Sequence, residues 1–162
     1  MSKEQIKDLL KFLKPFPHEK KEIALWLRDF VWNLYPESKE IIYDNYNALA
    51  FGWTISDKVS DLFCNIAVGR SSNNVHFGFY WGSKIADPKK ILLGNGNQYR
   101  YILVENQKNF PASYIKKLMK DAYAFSLGKM KVNNKLVPKG ETITKSISAK
   151  KRPPVSRKKK NK

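Results

Sequence analysis

Side chains able to do chemistry are few in this chain and widely spaced. Two histidines, His18 and His76, and one cysteine, Cys64, are all the imidazole and thiol in 162 residues. A tetrahedral zinc site takes four ligands, mostly nitrogen and sulfur, so this supply is too small. A hard cation would need several carboxylates together. The nearest such group is Glu37, Glu40 and Asp44, interrupted by Lys39, and its spacing reads as a solvated strand edge. Cys64 lies mid-strand among apolar residues, where a thiol is buried and inert. No nucleophile stands at a readable spacing from a base, and no carboxylate pair suggests glycoside or aspartyl chemistry. The balance leans away from an enzyme, and no cofactor is predicted.

Binding is better served. His76 alternates onto the strand face opposite Val75, Phe77 and Phe79 and shares it with Gly78 and Tyr80. A half-exposed imidazole beside tyrosines either lines a pocket or is held by structural hydrogen bonds. Together with Tyr43, Tyr46, Trp81 and Arg100 it makes a candidate ligand-binding set. The occupant would be a small molecule, anions included, or a segment of a partner protein. Gly94-Asn95-Gly96, with Lys89, Lys90 and Arg100 nearby, could bring backbone amides against an anion. The spacing matches neither GxxxxGK[ST] nor GxGxxG, and the residues from Tyr99 onward read as strand. A plain left-handed turn is the simpler reading.

Periodicity gives the helices and strands that carry these residues. Residues 3–13 carry Ile6, Leu9, Leu10 and Leu13 at helical spacing and stop at Pro15. Pro17 opens a second helix with an apolar stripe of Ile23, Trp26, Leu27, Phe30, Val31 and Leu34, ended by Pro36. Then come short, aromatic, alternating runs: 40–46, 48–53, 61–68, 75–81 and 99–104. In the third, Leu62, Cys64 and Ile66 are expected on one face and Phe63 with Ala67 on the other. The connection between the last two runs is expected to wall or cover a site. Pro111 opens a final helix through Leu127, capped by Gly128.

The fold expected from this order is α+β. It has an antiparallel sheet of about five strands, flanked by two N-terminal helices and one C-terminal helix in two layers. Residues 1–128 form one such domain. Residues 129–162 form a basic tail, predicted to be largely disordered because its apolar residues are too sparse to offset ordering entropy.

Charge is concentrated in that tail. The net charge is +17, and residues 129–162 hold 13 Lys/Arg against the single Glu141. Lys150, Lys151, Arg152, Arg157, Lys158, Lys159 and Lys160 are the candidates for non-specific attraction to nucleic acid, by counterion release. A solubilising extension is the simpler alternative. No zinc finger, helix-turn-helix or aromatic ribonucleoprotein signature accompanies them. The lone cysteine suits a reducing cytoplasm. The N-terminal residues lack a signal-peptide pattern, and no apolar run is long enough for membrane insertion.

The span from about residue 18 to 126 resembles the YdhG-like family, a domain-of-unknown-function grouping. The residues that carry the resemblance begin with Tyr35-Pro36, Ile41-Ile42-Tyr43, the run Asn45 to Phe51 and Asp61 to Cys64. They continue with Val75 to Phe79, Trp81-Gly82, Asp87-Pro88, Leu92, Gly94-x-Gly96 and Arg100-x-Ile102. The resemblance implies a small intracellular, mostly bacterial α+β domain with a frataxin-like helix–sheet–helix layout. Some members carry an iron-chaperone label, so iron is the metal it implies. Family members often have His after the Arg of the last strand, where this chain has Tyr101. The acidic residues of the first two helices are matched here by lysines.

Overall fold

A computed structural model of the protein describes residues 3–56, 58–129 and 140–153. Two helices come first, α1 (Lys3–Leu13) and α2 (His18–Leu34). Four strands come next, β1 (Lys39–Asp44), β2 (Ala48–Thr54), β3 (Leu62–Gly69) and β4 (Val75–Phe79). After a long connection come β5 (Arg100–Leu103), α3 (Ala112–Lys129) and β6 (Thr142–Ile147).

The strands form one six-stranded sheet in the order β5-β4-β3-β2-β1-β6. Neighbours are antiparallel except β1 and β6, which run parallel. The α+β class therefore stands, but the sheet is mixed and has six strands, not an antiparallel five. The sixth strand comes from the tail. The expectation of a largely disordered tail is corrected here for residues 142–147. Lys129 ends α3, and residues 130–139 and 154–162 lie outside the described residues. Short apolar content did not exclude a strand, because Thr142–Ile147 adds to a sheet edge already built by residues about 100 positions earlier. Its ordering cost is met by ladder bonds and by side chains on β1.

The helices supply one side of a single core. Leu9 and Leu13 of α1, Ala24, Leu27 and Val31 of α2, and Ile115, Leu118 and Met119 of α3 pack against Ile42, Phe51, Trp53, Ile66 and Phe77. Trp26 and Phe30 adjoin that core, meeting Phe110 edge-on at 5.4 and 5.1 Å. The other sheet face carries Tyr43, Ala50, Gly52, Asn65, His76, Tyr80, Tyr99 and Tyr101, as strand alternation requires.

One departure from alternation matters for that face. Trp53 pairs with Cys64, yet Thr54 pairs with Leu62, so Phe63 is an extra residue in β3. The bulge turns Phe63 into the helix-side core, 5.0 Å from Tyr35 and 5.2 Å from Tyr123. It also sends Leu62 to the open face. The expected grouping of Leu62 with Cys64 and Ile66, and of Phe63 opposite them, is therefore corrected.

Two of the three carboxylates read as a solvated strand edge, Glu40 and Asp44, are buried, whereas Glu37 is exposed. Glu40 is 0% exposed and Asp44 4%. Arg28 of α2 grips Glu40 through Nε and Nη2 at 2.8 and 2.6 Å. Thr142 of β6 donates to the same carboxylate at 2.9 Å. Asp44 accepts from Arg70 and from Lys151, the latter at 3.1 Å. A charge-assisted, two-pronged guanidinium contact is the arrangement that makes a buried carboxylate tolerable.

Candidate functional site

The middle of the open face is floored by small residues. Ala50 and Gly52 of β2 lie between taller side chains: Tyr43 on β1, Leu62 and Asn65 on β3, and Tyr80 just after β4. Together with Asn45 these enclose a pocket of about 180 Å³. Gly52 is needed for this shape, since a Cβ there would come 3.0 Å from Leu62 and 3.1 Å from Asn65. A cavity of about 150 Å³ is enough to hold benzene, so the space suits a single ring.

Polarity distinguishes this pocket from a packing defect. The Tyr43 hydroxyl and the Asn65 Oδ1 are both buried without a hydrogen-bond partner in the protein. Leaving such groups unpaired costs about 1–3 kcal/mol each, and native proteins rarely do so without a reason. Burial, with a smaller contribution from the neighbouring Tyr80 phenol, pushes the Tyr43 pKa up to about 12. Burial raises Tyr80 and Tyr99 as well, and for Tyr99 a hydrogen bond from Asn65 pulls partly the other way. At neutral pH the phenols are therefore protonated donors, and Asn65 presents an acceptor. The pocket offers hydrogen bonds and aromatic walls but no charge of its own.

An aromatic row extends from this pocket across β4 and β5. Tyr80 meets Tyr99 edge-on at 6.3 Å, Tyr99 stacks on Tyr101 at 5.6 Å, and Tyr101 lies parallel to His76 at 4.3 Å. Burial lowers the His76 pKa, so the imidazole in this stack is neutral at pH 7.

Of the five predicted ligand residues, Tyr43 lines the pocket and His76 shares its face. The other three are placed elsewhere. Trp81 donates its indole N–H to the Ser60 carbonyl at 2.9 Å, with the Lys129 ammonium 4.1 Å over its ring. Arg100 donates to the Gly96 and Tyr99 carbonyls, closing the Gly94–Gly96 turn, and its stem covers Gly82. Tyr46 is 44% exposed in the β1–β2 turn, where its carbonyl accepts from the Arg152 amide at 2.9 Å. Leu62, Asn65 and Tyr80 were not in the predicted set. Alternation from Phe77 does place Tyr80 on the right face, but nothing in the sequence announces the bulge that delivers Leu62.

The connection between β4 and β5 is tied to the helix side. Asp87 accepts from the Tyr114 hydroxyl at 2.5 Å and from the Leu92 amide at 2.9 Å. Burial works to raise the Asp87 pKa, but bonds from Tyr114 and the amides of residues 90–92 outweigh it and hold the pKa low. Asp87-Pro88 is thus a loop anchor on α3.

Chemistry beyond binding finds little here. Cys64 is 1% exposed and burial drives its pKa well up, which disfavours the nucleophilic thiolate. Among the described residues no three His, Cys, Asp or Glu side chains gather where they could hold a metal ion. These residues do not fit the iron site that the family resemblance implies. No helix among the described residues is long and apolar enough to cross a membrane.

Of the predicted nucleic-acid residues, Lys150, Lys151 and Arg152 are exposed on the segment after β6. Arg157, Lys158, Lys159 and Lys160 lie outside the described residues. No family model, curated protein or solved structure matches the chain.

Proposed function

We propose that this is a non-enzymatic binding domain whose open sheet face takes a small, neutral, planar ligand in the pocket of Tyr43, Asn65 and Tyr80. The observation that carries the reading is the pair of buried, unpartnered polar atoms, Tyr43 Oη and Asn65 Oδ1, at one small aromatic cavity. A hydroxyl donor beside an amide acceptor is complementary to a ring that carries both a carbonyl and an N–H. A lactam or ring amide has that pattern, and its flat faces suit tyrosine walls. Charged ligands fit poorly, because the pocket has no ionised group to receive them.

The test is a titration with uracil, 2-pyridone and nicotinamide, with benzene as a ring lacking polar groups. Expected are selective NMR shifts of the Asn65 side-chain amide and of Tyr43, and a raised melting temperature, with the lactams ahead of benzene. If all four probes leave those resonances unmoved, the reading fails.

A second reading rests on the 13 basic residues after position 128, against one carboxylate. In it the tail tethers the domain to nucleic acid without base readout. Binding would weaken steeply with salt and would weaken again when residues 154–162, which carry five of the thirteen, are removed. Salt-independent binding would overturn it.

A further inference from the structure

A second cavity, of about 480 Å³, lies where three separate parts of the chain meet. Phe16 and its flanking prolines, Pro15 and Pro17, come from the α1–α2 linker; Arg70 comes from the turn just after β3. Lys151, Arg152 and Pro153 come from the segment that succeeds β6. Its size is within the ~300–1,000 Å³ of ordinary small-molecule sites.

The charges around it do not balance. Asp44 is the carboxylate that meets these cations, accepting from both Arg70 and Lys151. Arg70, with 5% of its side chain exposed, also donates Nε to the Asn45 carbonyl at 2.9 Å and stands 5.3 Å over the Phe16 ring. It is therefore fixed in place. Arg152 meets a neutral oxygen, Asn47 Oδ1, at 3.3 Å, and no carboxylate among the described residues. Three cations against one anion leave about two positive charges at the wall of a cavity floored by proline and phenylalanine.

The main chain holds this arrangement. The Ser148 amide donates to the Asp44 carbonyl at 2.8 Å, and the Arg152 amide donates to the Tyr46 carbonyl at 2.9 Å. The basic segment is thus folded back along the β1–β2 turn, with its cations brought beside Arg70.

We propose that this cavity is an anion site for an organic phosphate monoester: the phosphate meets Lys151, Arg152 and the rim of Arg70, and an apolar or aromatic body rests on Phe16 and the prolines. A phosphate monoester carries close to two negative charges at neutral pH and so matches the surplus. Arginine provides directed donors to its oxygens. The apolar floor separates this site from a bare cationic patch, which would take inorganic phosphate equally well. The site is distinct from the uncharged pocket on the open face, so either can stand without the other.

Phenyl phosphate is the probe, titrated calorimetrically into the full chain at moderate salt beside inorganic phosphate and benzyl alcohol. Phenyl phosphate is expected to bind at least tenfold more tightly than either, with NMR shifts at Phe16 and Arg70. Lys151→Gln/Arg152→Gln should weaken it at least tenfold. Arg152→Gln alone, which removes just the contact to Asn47, should weaken it severalfold and covers the case in which loss of Lys151 loosens the segment. Lys158→Gln/Lys159→Gln is the charge-matched control and should change little. The proposal is overturned if phenyl phosphate does not bind, if benzyl alcohol binds as well, or if the control pair weakens binding as much as the Lys151/Arg152 pair.

Discussion

Tyr99 lies directly over Gly78, so closely that a Cβ built on the glycine would collide with the phenol ring and its hydroxyl. The bare backbone of β4 is what lets Tyr99 reach across the strand to Asn65, which hydrogen-bonds it. Asn65, one wall of the open-face pocket, thus has a partner that only the missing side chain on β4 admits.

Gly78→Ala should therefore destabilise the fold by about 1–3 kcal/mol, the usual cost of overpacking a filled site. Gly96→Ala is the comparison: a Cβ at Gly96 would meet nothing within 4 Å. It should stay within about 0.5 kcal/mol of the parent. Urea unfolding of the two variants measures the difference. Equal stability of both would show that Tyr99 does not depend on the glycine.

The Arg28–Glu40 pair should behave as a closed unit. Arg28 arrives from α2, Thr142 from β6, and Glu40 sits between them with no exposure. Arg28→Met leaves a buried carboxylate short of its cation and should cost about 3–5 kcal/mol. Arg28→Met with Glu40→Leu removes both charges and should recover much of that loss. A double-mutant cycle with small coupling, read by denaturant melts, would contradict this account.

Strand alternation and helix stops made most of the layers legible, because both report local preferences. The side-chain faces of β4 could be read straight from Val75, Phe77 and Phe79. The hidden features depend on partners far away in sequence. Glu40 and Asp44 look like solvated carboxylates until Arg28 and Arg70 arrive from 12 and 26 positions away. Thr142–Ile147 looks like tail until it is seen beside β1, with Thr142 on Glu40 across 102 residues. The bulge at Phe63 has no composition signature, since Phe and Leu suit either face. For the same reason the pocket was half visible: Tyr43 stood out by type, whereas Asn65 and Leu62 acquire meaning from register. Trp81 and Arg100 stood out too, but their hydrogen bonds go to backbone carbonyls that no sequence pattern marks.

His76 gives the stability curve a definite sign. Burial lowers its folded pKa below the ordinary 6.5. Between those two pKa values the unfolded chain binds more protons than the folded one, so stability rises with pH there. The contribution is fully present above about pH 6.5 and is lost progressively as pH drops toward the folded pKa. His76→Gln, with no titrating group, should flatten this part of the curve below about pH 6.5. Melting temperatures of both proteins across that window check it. A slope unchanged by the substitution would place the sensitivity elsewhere.

The sharpest separation between a binding pocket and a packing flaw comes from Tyr43→Phe. In the free protein the hydroxyl is buried and makes no hydrogen bond to the chain. Removing it deletes no native bond and relieves an unsatisfied polar group, so stability should hold or rise by up to about 1 kcal/mol. Affinity should move the other way. A ring amide that accepts a hydrogen bond from Tyr43 would lose about 1 kcal/mol or somewhat more, roughly five- to tenfold in Kd. Benzene, with nothing to accept, should bind the variant as well as the parent. An enzyme-like or structural role predicts neither divergence. The pair of measurements, a thermal melt and a uracil titration on the same two proteins, therefore decides it. A substitution that lowers stability and leaves uracil affinity untouched would make Tyr43 a packing residue and end the case for the open-face site.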